Sequence, residues 1–259
     1  MLNLGGKKEG GIMRSGNPAL SDKIFRGLPY AAEQEAMTIQ GTVNKTGLLL
    51  LCVILTAGWT WHRFFQTSDP SSVVVWVTIG AFGGLILALI TVFKQTWAPV
   101  TAPIYSLLEG LFIGGISSIA ESQYPGIVIQ AVGLTFGTLV ALLAAYSSGL
   151  IKATENFKMG VAAATGGIFL VYLVSLVLGL FGIRVPYIYE NGLFGIGFSL
   201  FVVVVAALNL VLDFDFIEQG ARSGAPKYME WYGAFGLMVT LIWLYIEILR
   251  LLIKLRSRD

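Results

Sequence analysis

Long apolar runs separated by short polar punctuation dominate the chain from about residue 46 onward. A membrane-spanning helix needs roughly 20 mostly apolar residues, each rising about 1.5 Å. Seven windows meet that requirement: 46–65, 72–93, 99–120, 126–149, 159–182, 192–216 and 231–254. The connectors carry turn residues, among them Ser68-Asp69-Pro70, Tyr124-Pro125-Gly126 and Val185-Pro186-Tyr187. β-Branched runs occur at 73–75 and 202–205, but inside windows far longer than the roughly ten-residue strands of a membrane barrel. The pattern predicts an all-α fold, a seven-transmembrane-helix bundle over 46–259. A polar, partly flexible segment over 1–45 precedes it. That segment has no apolar core near its start, so no signal peptide is expected. A short amphipathic helix on the membrane surface is the most structure it suggests.

Composition agrees. Of 259 residues, 56% are hydrophobic and only 12% charged, with a mean hydropathy of +0.77. Soluble domains carry about 25% charge, so soluble enzymes, nucleic-acid binders and disulfide scaffolds are excluded together. Cys52 is the single cysteine and can form no intrachain disulfide. No Walker motif or Cys/His cluster occurs, so neither a cofactor nor enzymatic activity is expected. Three membrane chemistries fail on particular residues. A Ser–His protease needs a buried histidine, yet the only one, His62, sits beside Trp59, Trp61 and Arg63 at a window's end. A retinal protein needs a mid-helix lysine in its last span, where Lys254 lies at the edge. An aspartyl protease needs Tyr-Asp and Gly-x-Gly-Asp, yet Asp213 follows Leu212, and Gly195-Ile196-Gly197 leads into Phe198.

Lysine and arginine in short flanks set orientation. Lys7, Lys8, Arg14, Lys23, Arg26, Lys45, Lys94, Lys152, Lys158, Arg222 and Lys227 fall on the side of the N-terminus, which predicts that this side is cytoplasmic in a cell membrane. The opposite connectors hold Arg63 and Arg184. Arg250, Lys254, Arg256 and Arg258 also fall there and weaken the contrast, which an even number of spans would restore. The GxxxG pairs Gly80/Gly84, Gly110/Gly114 and Gly133/Gly137, with the small-residue stretch at 162–167, predict close helix packing within the chain.

Charges inside the windows concentrate the chemistry. Glu109 lies mid-way along the third window, Asp213 and Asp215 near the end of the sixth, and Glu247 and Arg250 in the second half of the seventh. An acid at membrane depth costs roughly 2.5–3.5 kcal/mol on insertion scales, so it is expected to face a polar interior. Structural roles compete: Asp213 and Asp215 as helix-end groups among the lipid headgroups, Glu247 and Arg250 as an i,i+3 pair, Glu109 as a neutral hydrogen-bonding acid. Asp213 and Asp215 stand roughly 200° apart around their helix and share no face. Arg250 is the one intramembrane cation the windows suggest, which leaves an excess of acid. Facing acids can share a proton, and the ionised form offers hard oxygen ligands to calcium or other cations.

Several blocks resemble the Bax inhibitor-1 family of seven-helix membrane proteins, in particular its bacterial branch. They are Ser15-Gly16-Asn17-Pro18-Ala19-Leu20, Met37-Thr38-Ile39-Gln40-Gly41-Thr42-Val43-Asn44-Lys45-Thr46, Ala102-Pro103-Ile104-Tyr105-Ser106-Leu107-Leu108-Glu109-Gly110-Leu111-Phe112 and the closing two helices. The resemblance implies a pH-dependent calcium leak governed by a proton-sharing pair of acids on helices six and seven. The family's Asp-Thr-Gln-x-Ile context resembles Asp213-Phe214-Asp215-Phe216-Ile217, and its final-helix acid resembles Glu247 within Leu244-Tyr245-Ile246-Glu247-Ile248-Leu249. Asp213 and Glu247 are thereby the pH-sensing pair and the candidate calcium ligands, with Glu109, Asp215 and Arg250 in support. Two departures stand out: glutamate as the second acid, and Phe-Asp in place of Thr-Gln. A simple hairpin joining Asp213 to Glu247 would turn at position 230, whereas the evident turn, 220–227, centres near 224. The pairing therefore requires 226–232 to run along the membrane interface. The resulting expectation is a pH-sensitive cation leak channel or regulator whose partners are cations, protons and the bilayer. The alternative is a non-conducting protein regulating membrane proteases or stress responses.

Overall fold

The computed structural model describes residues 36–182 and 192–258. Of these, 87% are helical and none forms a strand. The helices are α1 (Ile39–Thr67), α2 (Ser71–Phe93), α3 (Ala98–Gln123), α4 (Ile127–Ser147), α5 (Glu155–Leu180), α6 (Leu193–Arg222) and α7 (Met229–Arg256), with a 3₁₀ turn at Gln95–Trp97. All seven are long and apolar enough to cross a membrane. Hydrocarbon offers backbone N–H and C=O groups no partner, so each segment closes its own hydrogen bonds as a helix. The predicted surface helix within 1–35 and the Val185-Pro186-Tyr187 connector lie outside the described residues.

Polar residues extend three helices beyond their apolar windows. α1 starts at Ile39 because Thr38 is extended and its hydroxyl accepts the Gly41 N–H at 2.9 Å. Thr154 caps α5 in the same way. α6 runs on to Arg222, where an i,i+4 Arg222–Glu218 pair at 2.6 Å and a Gln219–Asp215 bond at 2.5 Å carry the helix forward. Asp213 and Asp215 therefore lie within the helix and do not end it.

α7 is the central helix, packed against α6, α1, α4 and α3. Its core residues include Met229, Tyr232, Phe235, Met238 and Leu244, all buried. α3 lies against α1 and α2 through glycines. A Cβ on Gly114 would run into the Ala57 backbone, and one on Gly80 would meet the Leu108 carbonyl and the Phe112 amide. Gly133 and Gly137 of α4 have open space beside them instead, so that pair does not serve packing within the chain. α5 is peripheral. It packs along α6, and its Ile168 joins Val202 and Val205 in a small apolar cluster separate from the main core.

The connections after α2, α4 and α6 return to the end where α1 begins. Met37 donates to the Ala225 carbonyl at 2.6 Å, which ties the start of α1 to the α6–α7 connection. Two of the cations that weakened the charge contrast prove to lie inside the bundle. Lys254 is 4% exposed, and the half-buried Arg250 pairs with Glu247. Only Arg256 and Arg258 remain as basic residues of the C-terminal flank.

The glycine geometry predicts a contrast. Gly114→Ala forces α1 and α3 apart and should lower stability by about 1–3 kcal/mol. Gly137→Ala meets nothing and should leave stability unchanged or raise it by up to about 1 kcal/mol. Unfolding in detergent measures both, and equal effects would contradict the packing described.

Candidate functional site

Asp213 and Glu247 are both inside the bundle, at 0% and 2% exposure. They are not adjacent. Asp213 lies nine residues before the end of α6 at Arg222, and Glu247 lies eighteen after the start of α7 at Met229. Both ends meet at one connection, so the acids differ in level by about nine residues, on the order of 14 Å of helix rise. The geometry does not place them to share a proton directly. α7 starts at Met229, so 226–232 does not run along the interface for long enough to bring the two acids level.

Each end of that interval has its own partners. Glu247 accepts hydrogen bonds from Tyr172 of α5 at 3.0 Å and from Arg250 at 3.0 and 3.1 Å, and Arg250 also donates to the Tyr172 hydroxyl at 2.7 Å. Nearer the far end of the bundle, Lys254 donates to the Gly195 carbonyl at 3.0 Å and the Ser199 hydroxyl at 2.9 Å. Toward the opposite end, Asp215 pairs with Lys158 of α5 at 2.6 Å, and Tyr146 of α4 reaches both Asp215 and Glu218. Asp215 thus faces a buried lysine and not headgroups. Lys158, at 3% exposure, joins Arg250 and Lys254 as a cation within the bundle, so Arg250 is not the sole one.

Between the two acids stands Asn209, buried at 2% exposure. It lies four residues before Asp213 on the same helix face. Its amide donates to Thr165 of α5 at 2.9 Å and to the Val205 carbonyl, while its Oδ1 is buried and accepts no hydrogen bond among the described residues. The result is a polar ladder where α5, α6 and α7 meet. Its levels are Lys158–Asp215, then Asn209–Thr165 with Asp213 one turn away along α6, then Tyr172–Glu247–Arg250, then Lys254–Ser199. Asn209, Lys158, Thr165 and Tyr172 were not singled out in the sequence. The signal was there, since 158, 165 and 172 are seven apart on a largely apolar helix.

Glu109 stands elsewhere. It lies one turn after Tyr105 on α3 and packs against Gly84 of α2, on helices that supply no rung of the ladder. Among the described residues, no group of three or more His, Cys, Asp or Glu side chains converges to hold a metal ion.

A third buried acid, Glu230 in the first turn of α7, is fully enclosed. It accepts the Thr38 N–H at 2.9 Å and the Thr38 hydroxyl at 2.8 Å, and pairs with Lys227 at 2.9 Å and with Lys45. The first turns of α1 and α7 both bring their positive ends to this carboxylate. Gly41 is required beside it, because a Cβ there would collide with the carboxyl group.

A family model described as Bax inhibitor 1 like matches residues 17–257. No curated protein and no solved structure shows significant similarity to the chain. The Met37–Thr46 block, which carried part of the resemblance, supplies Thr38, Gly41 and Lys45 to the Glu230 knot.

Glu230→Gln should therefore lower stability by about 2 kcal/mol. That is less than a fully buried pair would cost, because Lys227 and Lys45 can turn partly to water. Adding Lys45→Met should recover part of the loss, as expected of interacting neighbours. Unfolding of the single and double variants in detergent checks this; an unchanged stability of Glu230→Gln would show that the knot contributes nothing.

Proposed function

We propose that this chain, which belongs to the Bax inhibitor 1-like family, is a pH-responsive cation leak pathway, with calcium as its candidate ion and the polar ladder between α5, α6 and α7 as its route. The observation that carries the reading is the ladder itself. Ionisable and amide groups recur at intervals through bilayer depth, where each would otherwise be costly. Asn209 Oδ1 supports it further, as a buried acceptor between Asp213 and Glu247 with no bond made among the described residues. A leak needs sites that hold an ion weakly and let it go, and single carboxylates along a path suit that better than a cage.

Lys158, Ser199, Asn209, Asp213, Glu247 and Lys254 of the ladder are buried and its other members half-buried, which fits a closed state. In it, Lys158, Arg250 and Lys254 neutralise much of the acid charge. A cation entering must displace them or wait until they move. The same neutralisation favours the second reading, a non-conducting regulator in which the ladder only holds the helices together. The orientation we propose places the α1 start, and with it the Glu230 knot, on the cytoplasmic face of a cell membrane. The basic residues gathered at that end support it.

Calcium entry into dye-loaded liposomes, from about pH 5.5 to about pH 8, separates the two readings. A leak pathway gives flux that depends on pH, and a regulator gives none at any pH. Asn209→Leu, which removes the middle of the ladder, should cut flux by about tenfold, or about 1.4 kcal/mol in barrier. Because Asp213 and Glu247 are separated by more than about 10 Å, Asp213→Asn and Glu247→Gln should change the logarithm of flux additively. Strong non-additivity would restore a directly shared proton.

A further inference from the structure

The ladder fixes one helix differently from the other six. α5 is joined to the bundle by a narrow seam whose buried residues are Lys158, Val161, Ile168 and Ser175. Its outward face carries large apolar groups such as Phe169, Leu170, Val174 and Leu176 against lipid. No glycine of α5 packs closely on a neighbour: Gly160, Gly166, Gly167 and Gly179 all have open space where a Cβ would go. Contrast α2, equally peripheral, which is locked to α3 at Gly80 and Gly84. What holds α5 is polar: Lys158 to Asp215, Thr165 to Asn209, and Tyr172 to Glu247 and Arg250.

These three attachments are seven residues apart, so they lie on one stripe of the helix, and every one of them is a rung of the ladder. Two of the three rest on a carboxylate. The seam's apolar component is the small Ile168, Val202 and Val205 cluster, outside the main core. In lipid, apolar contact between helices brings little net gain over contact with acyl chains, so polar links and close packing decide association. An α5 without close packing depends on its polar links.

Resting on the leak reading above, we infer that α5 is the gate: the described state is zipped shut by the Lys158, Thr165 and Tyr172 rungs, and α5 moves away from α6 and α7 to expose the ladder. The same side chains that block the route are those that hold the door. Charge decides how firmly it is held. Asp215 faces Lys158 and, through it, Glu155 from α5, Tyr146 from α4, and Glu218, Gln219 and Arg222 along α6. Glu247 faces Tyr172 from α5 and Arg250, Lys254 and Trp243 along α7, with Ser199 of α6 bonded to Lys254. Two of the three rungs rest on a carboxylate charge, and removing that charge leaves Lys158 and Arg250 without their partner, so those two rungs weaken. Thr165–Asn209 has no charge to lose and keeps the helix in register.

Spin labels test this directly on the full chain, after Cys52→Ser. One pair joins exposed α5 to exposed α2 through Leu170→Cys and Phe82→Cys; a control pair joins α4 to α2 through Val140→Cys and Phe82→Cys. In liposomes the α5 distance should be at least about 2 Å longer in Asp215→Asn with Glu247→Gln than with both carboxylates in place, the scale of known helix shifts, while the control holds. A cross-link across the apolar seam, Ile168→Cys to Val205→Cys, should abolish calcium flux at pH 5.5, and a reductant should restore it. An α5 distance unchanged by the double variant overturns the gate, whether or not the protein conducts. Flux that survives the cross-link overturns it as well and leaves the leak reading standing. A moving α5 in a protein that never conducts upholds the moving helix and removes the leak reading instead.

Discussion

A charge inside hydrocarbon must find a counter-charge or a full set of hydrogen bonds, and that constraint orders the whole bundle. An unpaired acid at the membrane centre costs roughly 3 kcal/mol on insertion scales. Here Asp215 is answered by Lys158, Glu247 by Arg250 and Tyr172, and Glu230 by Lys45, Lys227 and Thr38. Each answer comes at least in part from another helix. The expensive residues are therefore the ones that fix which helices meet and at what level. The apolar residues, which make up most of every span, fix much less, because lipid receives them almost as well.

The two polar assemblies behave differently for a reason visible in their geometry. The Glu230 knot draws donors from the backbone N–H and hydroxyl of Thr38 and from two lysines, and a glycine at 41 makes room for it. It joins the first and last helices at the N-terminal end of the bundle and has several redundant bonds to one oxygen pair. The ladder has single bonds spread over bilayer depth, one or two per level. A structure with several bonds at one point anchors; one with few bonds at many points can come undone in steps. The anchored end holds α1 and α7 together while α5 remains the helix with least to lose.

How much of this was legible in the sequence depended on the kind of residue. Seven helices could be read from run length alone, because a span must be long and apolar whatever it packs against. The helix ends could not: Ile39 and Arg222 were hidden by the polar residues around them, and Glu230 was missed because it falls just outside the apolar window that begins at 231. Burial of Asp213 and Glu247 followed from their cost, yet their pairing did not, since a family motif names residues without giving the axial register of two antiparallel helices. The turn centred near 224 already argued against the pair, and α7 starting at Met229 bears that argument out. The glycine pairs show the same limit. Gly110/Gly114 and Gly133/Gly137 are identical as motifs, but only the first has a backbone opposite it.

Charge balance along the ladder finally decides what kind of pathway it can be. A permanently open acidic lining would attract cations and also bind them. Here Lys158, Arg250 and Lys254 stand beside the carboxylates, and no cluster of three potential metal ligands forms among the described residues. With α5 in place, a divalent cation meets as much repulsion as attraction and has no reason to enter. Withdrawing α5 takes Lys158 and the Tyr172 hydroxyl with it and leaves Asp213, Asp215, Asn209 and Glu247 on the remaining helices, with Arg250 and Lys254 as the cations beside them. Affinity for a cation would then be created by the same displacement that opens the route. On the proposed leak reading, gate and selectivity would be one event.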